Sequence, residues 1–419
     1  MKLKEVVPYT PGKVSGIVLL SYDNFIYEKA VSFFFLTTEV FLIALMCLGC
    51  TKQIEKFMSE STNRFAFNLY KALQSYSENV VVSPISLQII LALVQQGSRN
   101  TTEAEIARVL YHSESNAVLL EGYRSLITDL RSPVLKIASK MFLEKTSKIS
   151  PDFQSIASNY FLSDIRGLDF KGNPEGSREK INDWIEEYTY DKIKNLFPSG
   201  SLTPSTRLVL ANAVYLKALW KYPFDKMNTR EGHFFISSNE VVVVQMMALV
   251  QESLPHMYSM KLKSQIVELP YQEEGYRMII ILPDDYNGLA SLESKLTYND
   301  FFAEVSRLVR KEIDVYLPRF KVEENMDLVR VLQKMGMPTA FSNLADFSRI
   351  SNESLKIDKV TQKALIEVNE EGTEAAAGSA FSFQLVSLPR RMRCNHPFIY
   401  LILKGDTILF IGRLLRPLS

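Results

Sequence analysis

Residues Glu370–Pro397 read EEGTEAAAGSAFSFQLVSLPRRMRCNHP and lie between two runs with strand character, Ala364–Asn369 and Phe398–Leu403. Length makes the segment a loop, and loops beyond about 12–15 residues are uncommon in compact domains and usually functional. Pattern makes it a strand. Thr373, Ala375, Ala377, Ser379, Phe381, Phe383 and Leu385 are small or apolar and carry no charge. The intervening Glu374, Ala376, Gly378, Ala380, Ser382 and Gln384 are more polar and hold the only charge. Alternation of this kind over Thr373–Leu385 marks a strand with one buriable face. An ordinary strand would look the same, so pattern alone leaves loop and strand both open.

Working outward, the chain before Leu208 is predicted to be largely helical. Phe65, Leu69, Ala72 and Leu73 recur at the spacing of one helix face, and Ser83-Pro84 opens a second apolar helix over Ser86–Val94. Thr101–Leu110, Asn116–Leu130 and Ser177–Tyr188, with Ile181, Trp184 and Ile185 as its stripe, are further candidates. After Leu208 the texture becomes β-branched and aromatic. Leu208–Leu216, Val241–Met247, Met278–Leu282 and Ile313–Leu317 are predicted strands, and Phe398–Leu403 and Ile408–Ile411 form a hairpin around Lys404-Gly405-Asp406-Thr407. No repeat of 20–50 residues and no long polar linker divides this stretch, so residues 50–419 are expected to form a single α+β domain.

With 48 basic against 47 acidic side chains, the chain lacks the net basic character of a nucleic-acid platform. The 47% hydrophobic content is that of a folded protein. His112, His233, His256 and His396 are scattered, and no nucleophile-elbow, dinucleotide, phosphate-loop or zinc-protease motif is present. No enzyme, metal or cofactor is therefore expected. Residues 1–49 read as an extension carrying a secretory signal, with its apolar part at 31–49. Val31–Cys50 has the ~20-residue length of a membrane span, but Glu39 near its middle would cost roughly 3 kcal/mol there. Val40–Gly49 has the length of a signal core, and Cys47 and Gly49 are small enough for cleavage before Cys50. The long lead-in keeps an uncleaved anchor as the competing reading. Cleavage would leave Cys394 as the sole thiol and Asn100 and Asn352 as sequons of a secreted, extracellular glycoprotein with no stable membrane attachment.

Ile366–Ala377 (IEVNEEGTEAAA) resembles the hinge of the serpins, the serine protease inhibitor family, almost residue for residue. The resemblance runs from Ile54 to Pro417. It includes Asn79–Ser86, Leu210–Tyr215 followed by Trp220, Leu317–Lys321, Ala345–Ser348 and Asn395–Phe398. It implies the serpin fold, with about nine helices and three β-sheets, and an exposed reactive-centre loop at residues 370–395. It further implies a monomeric suicide substrate that traps a serine protease covalently when the cut loop enters the main sheet. By family spacing the reactive bond is Val386–Ser387, suited to an elastase, or to a chymotrypsin-like enzyme if the register slides to Phe383 or Leu385. The hinge is Glu371, Gly372, Thr373, Glu374, Ala375, Ala376 and Ala377. Trp220 is the breach tryptophan, and Ser83, Ser86 and Asn212 surround Gln362 under the sheet. Many serpins carry His where this chain has Gln362, so no protonation switch is expected there. The small hinge residues fit an inhibitor better than the alternative of a non-inhibitory carrier, storage protein or chaperone. Arg390, Arg391 and Arg393 lie past the expected bond; a trypsin-like cut near Arg390 or Arg391 is the competing assignment, and otherwise they read as a solvated cluster. Helix Asn116–Leu130 holds only Arg124 as a basic residue, against glycosaminoglycan activation through it.

Overall fold

Leu208–Leu216 (LVLANAVYL) is buried at every residue, and such a run can serve only as the centre of a sheet covered on both faces. The computed structural model, which describes residues 52–372 and 390–417, places it there. The five-stranded sheet runs in the order Phe320–Asp327, Lys359–Val368, Leu208–Leu216, Leu135–Glu144, Ile165–Leu168. Val209, Ala211, Ala213 and Tyr215 face a cluster with Phe142, Ile181, Ile185 and Phe197, anchored by helix Pro174–Tyr188. The opposite face meets helix Pro84–Gln96, in which every residue is buried. That helix starts after Ser83 with Pro84 in its first turn, where the missing N–H costs nothing.

A second hydrogen-bonded ladder of nine strands runs from Val80–Val82 through Thr407–Leu414, Phe398–Lys404, Tyr276–Pro283, Ser264–Pro270, Glu240–Ser259 and Val309–Pro318 to Arg390–Arg393. Arg230–Ser237 pairs off this path with Glu240–Ser259. Among the described residues there are thus two ladders where three sheets were expected. The physical reason is the 20-residue strand Glu240–Ser259, which pairs with Arg230–Ser237 through its first part and with Ser264–Pro270 through its last, joining what would be two ladders into one. Its register against Val309–Pro318 shifts between Leu249 and Glu252, where Gln251 adopts φ 54° and bends the strand. Nine α-helices are present among the described residues, residues 52–73 and the eight that follow. The described residues from Phe57 onward form one compact unit. Among the described residues no helix is long and apolar enough to cross a membrane. The signal segment proposed at 31–49 lies outside the described residues.

One pairing sets up the site. Lys359–Val368 and Leu208–Leu216 lie side by side and parallel, with Lys359 opposite Val209 and Leu365 opposite Tyr215. On their outer sides both strands have antiparallel neighbours, Phe320–Asp327 and Leu135–Glu144.

Candidate functional site

At the end of Lys359–Val368 the chain turns back on itself. The Asn369 side-chain oxygen accepts from the Glu371 and Gly372 amides at 3.0 and 3.2 Å, and the Asn369 amide donates to the Gly372 carbonyl at 3.0 Å. This is the local turn that asparagine favours. Gly372 has φ 145° and forms an antiparallel bridge with Leu219, beyond the end of Leu208–Leu216. A Cβ at Gly372 would lie 2.2 Å from the Ala218 carbonyl oxygen and 2.6 Å from the Leu219 Cα, so only glycine fits.

Trp220 closes this end. It is 1% exposed, stacks on Tyr271 at 4.5 Å and 10°, and donates its indole N–H to the Asn369 carbonyl at 3.0 Å. Its backbone amide donates to the Glu371 carbonyl at 2.9 Å. The two glutamates are held by cations at the rim. Arg319 donates from Nε to both Glu370 oxygens at 2.8 Å, Thr229 donates to the same carboxylate at 2.5 Å, and Lys226 pairs with Glu371. Burial pushes the Glu370 carboxyl up, but the bonds from Arg319 and Thr229 outweigh it and hold the group below its usual range.

Halfway along the seam the chemistry is neutral. Gln362 and Asn212 are opposed residues of the parallel pair, and Ser139 is the next rung across from Asn212. The Gln362 amide nitrogen donates to Asn212 Oδ1 at 2.8 Å and to the Ser83 carbonyl at 2.9 Å, with Ser86 Oγ at 3.2 Å. The Ser83 amide returns a bond to Gln362 Oε1 at 2.8 Å. Ser86 Oγ reaches Asn212 Oδ1 at 2.8 Å, and Asn212 Nδ2 donates to Ser139. Ser83, Ser86, Asn212 and Gln362 are all buried. A primary amide can donate and accept at once, so the net needs no charge.

The structure brings Trp220, Glu371 and Gly372 together at one end and Ser83, Ser86, Asn212 and Gln362 together in the middle. Thr373, Glu374, Ala375, Ala376, Ala377, Val386 and Ser387 lie outside the described residues. Arg390–Arg393 is a strand, parallel to Val309–Pro318; Arg391 faces Asp314 at 3.4 Å and Arg393 lies over the Tyr316 ring at 4.7 Å. Asn100 and Asn352 are exposed, but the Asn100 amide nitrogen donates to Asp346 at 2.8 Å. His112, His256 and His396 each bond within their own surroundings, to Gln95 and Tyr123, to the Leu254 carbonyl, and to the Pro283 carbonyl. Among the described residues no cluster of three or more His, Cys, Asp or Glu could hold a metal.

Sequence reasoning missed Arg319, Glu370, Thr229 and Tyr271 as partners at the turn, and Ser139 in the middle. Arg319 and Glu370 stood within the quoted Leu317–Lys321 and Ile366–Ala377 motifs; Thr229, Tyr271 and Ser139 carried no signal of their own, because only the tertiary pairing places them.

The description "Serpin (serine protease inhibitor)" matches residues 60–417, and the chain belongs to the serpin family. Serpin B6 of Pongo abelii is 38% identical over 374 residues, covering 86% of this chain and 99% of that protein. The leukocyte elastase inhibitor of Equus caballus is 33% identical over 378 residues, with the same coverage of 86% and 99%. Among solved structures, Serpin48, described as a highly specific serpin of the insect Tenebrio molitor, superposes with a TM-score of 0.79. It is 32% identical over 87% of this chain and 99% of its own. The family match begins at residue 60, and 86% of this chain covers 99% of the Pongo abelii relative.

Proposed function

We propose that the protein inhibits serine proteases as a suicide substrate and that its reactive bond is Val386–Ser387. The protease serine adds to the Val386 carbonyl, the Val386–Ser387 bond breaks, and the Ser387 nitrogen leaves as a protonated amine. This leaves an acyl-enzyme on Val386. The observation that carries the proposal is the closed parallel seam with Gly372 already bridged at its head. A segment that continues from Gly372 between Lys359–Val368 and Leu208–Leu216 runs antiparallel to both, replacing one parallel pair by two antiparallel ones. Small residues at Thr373, Ala375 and Ala377 pass between the strands without overpacking, and the segment has no Pro before Leu388. About a dozen new ladder bonds at roughly 1 kcal/mol each supply on the order of 10 kcal/mol, enough to drag and distort an attached enzyme.

Val386 favours an elastase-like or chymotrypsin-like target. The pairing of Arg390–Arg393 with Val309–Pro318 supports cleavage before this strand rather than within it, since a protease needs its substrate free of a ladder. Mixing the protein with elastase-, chymotrypsin- and trypsin-type enzymes and running denaturing gels tests the proposal. An SDS-resistant complex and a released fragment beginning at Ser387 are expected. Clipping by all three without a complex would overturn it and favour the carrier, storage or chaperone reading.

The stretch 31–49 supports export as a monomeric secreted protein, with Asn352 the better-placed glycan acceptor because the Asn100 amide is engaged. Sequencing the N-terminus of protein recovered from culture medium tests this, and recovery only from within cells would reject it.

A further inference from the structure

An open cleft of about 370 Å³ lies beside the five-stranded sheet, along the part of Leu135–Glu144 that pairs with Ala211–Leu216. Its volume is at the low end of the range, ~300–1,000 Å³, in which proteins bury small ligands. Ile90 and Leu93 of helix Pro84–Gln96, Ile127 and Leu130 of helix Asn116–Leu130, and Ile137 and Phe161 give it an aliphatic and aromatic body. Three cations, Arg131, Lys136 and Lys140, line the same cleft against a single carboxylate, Asp164. Asp164 already pairs with Lys140 at 2.8 Å, and the Lys140 ammonium also sits 4.7 Å from the Trp184 ring centre. Among the described residues Arg131 and Lys136 have no ion-pair partner, although the Lys136 ammonium lies 5.5 Å from the Tyr190 ring centre. The rim is also strained. Leu162 adopts φ 49° and is 36% exposed, a conformation that costs a leucine energy and places an apolar side chain in water.

An apolar body lined by two cations that have no carboxylate partner selects one ligand chemistry. We propose that this cleft binds a small amphipathic carboxylate, with its chain or ring against Leu93, Leu130 and Phe161 and its head group at Arg131 and Lys136. A guanidinium can take a carboxylate through two parallel bonds, which a neutral head group cannot reproduce. The site also touches the seam. Ser139 lines the cleft and is the hydrogen-bond partner of Asn212, so strand Leu135–Glu144 forms one wall of the cleft and one flank of the parting sheet. A ligand wedged between this strand and helices Pro84–Gln96 and Asn116–Leu130 opposes the sideways movement that loop entry requires. This second consequence rests on the proposed inhibitory function; the binding itself does not.

Calorimetric titration of the uncleaved full chain with sodium decanoate, below the concentration at which it forms micelles, tests the binding directly. Saturation at one equivalent is expected, with decanol at least tenfold weaker and the Arg131→Ala/Lys136→Ala double variant weakened by at least tenfold. Both positions are at the surface or half-buried, so the variant should melt as the wild type does. Ile127→Trp, at a half-buried rim position, should block the cleft and abolish the binding heat. Equal binding of decanoate and decanol, non-saturating uptake, or an unaffected double variant would overturn the site. Where the protein forms a protease complex, saturating decanoate should slow complex formation at least threefold. An unchanged rate with binding intact would overturn the link to the sheet.

Discussion

The seam between Lys359–Val368 and Leu208–Leu216 is closed by charge and aromatic stacking at its head and by neutral amides and hydroxyls at its middle. At the head, Arg319 is 45% exposed while the Glu370 it holds is 2% exposed, so one partner is hydrated and one is not. Such a pair can be undone by water and protons. At the middle, Gln362, Asn212, Ser83 and Ser86 are all sealed from solvent, and parting the strands strands several polar groups at once. The difference suggests an order of opening, with the head yielding first and the middle resisting until new ladder bonds replace those lost.

The largest effect tests whether the seam opens at all. Cleavage at Val386–Ser387 should raise the melting temperature steeply, since insertion adds on the order of 10 kcal/mol of ladder bonds. Ala375→Pro should leave the uncut protein unchanged while removing most of that gain, because Pro cannot donate within a central strand. Calorimetry of cut and uncut forms checks both. Cut protein that melts no higher than uncut would leave the head and the middle as two features of an ordinary sheet.

Next comes the head. Trp220→Ala removes the stack on Tyr271 and the indole bond to Asn369 together, and should lower the stability of the uncut form by about 3–5 kcal/mol. The loss should be smaller in the cut form, where new ladder bonds already hold the strands, so the insertion-driven gain should grow. Denaturant unfolding of both forms measures this; equal losses in cut and uncut protein would show that the head guards nothing specific to the metastable state.

Glu370→Gln is smaller, about 1 kcal/mol, because Arg319 is half in water. Its pH dependence is the sharper readout. The native carboxyl lies below its ordinary value of 4.5, so the pair contributes fully above that pH. The contribution is lost as pH falls through the lower native value. The variant should therefore match the wild type in strong acid and fall behind it toward neutrality. A difference that stays constant with pH would mean that the Glu370 charge is not what closes the head.

How far these regions could be read beforehand follows from what each depends on. Leu208–Leu216 and Asn116–Leu130 have in the structure the bounds the sequence indicates, because an apolar run broken only at Asn212 and a helical stripe are local signals. Leu135–Glu144 was hidden: Lys136, Ser139 and Lys140 interrupt its alternation, and it becomes a strand through its pairing with Leu208–Leu216. The same cause hid Ser139 and Tyr271 from the site, since neither belongs to a motif. Gly372 was legible from the hinge pattern, yet the reason glycine is needed, the Ala218 carbonyl at 2.2 Å, is a tertiary contact.

The smallest effect separates the two regions most cleanly. Gln362→His keeps one donor and one acceptor at the middle of the seam, enough to meet Asn212 Oδ1 and the Ser83 amide while losing the bond to the Ser83 carbonyl. At pH 8 the cost should be under about 1 kcal/mol. Ser83, Ser86, Ser139 and Asn212 are all uncharged, so nothing there offsets the desolvation of an imidazolium, and the native pKa of the new histidine should fall below its unfolded value of about 6.5. Stability is then lost as pH drops through that unfolded value, a slope the glutamine cannot produce. Wild-type protein already carries such slopes, because burial pushes His112 down to about 4 and holds His396 below its ordinary value. The measurement is therefore the difference in unfolding free energy between variant and wild type from pH 8 to 5. A widening gap below pH 6.5 would show that this chain's glutamine makes the middle indifferent to pH while the head remains sensitive. Parallel curves would mean that the middle is wetter than its burial implies, and the contrast between the two regions would collapse.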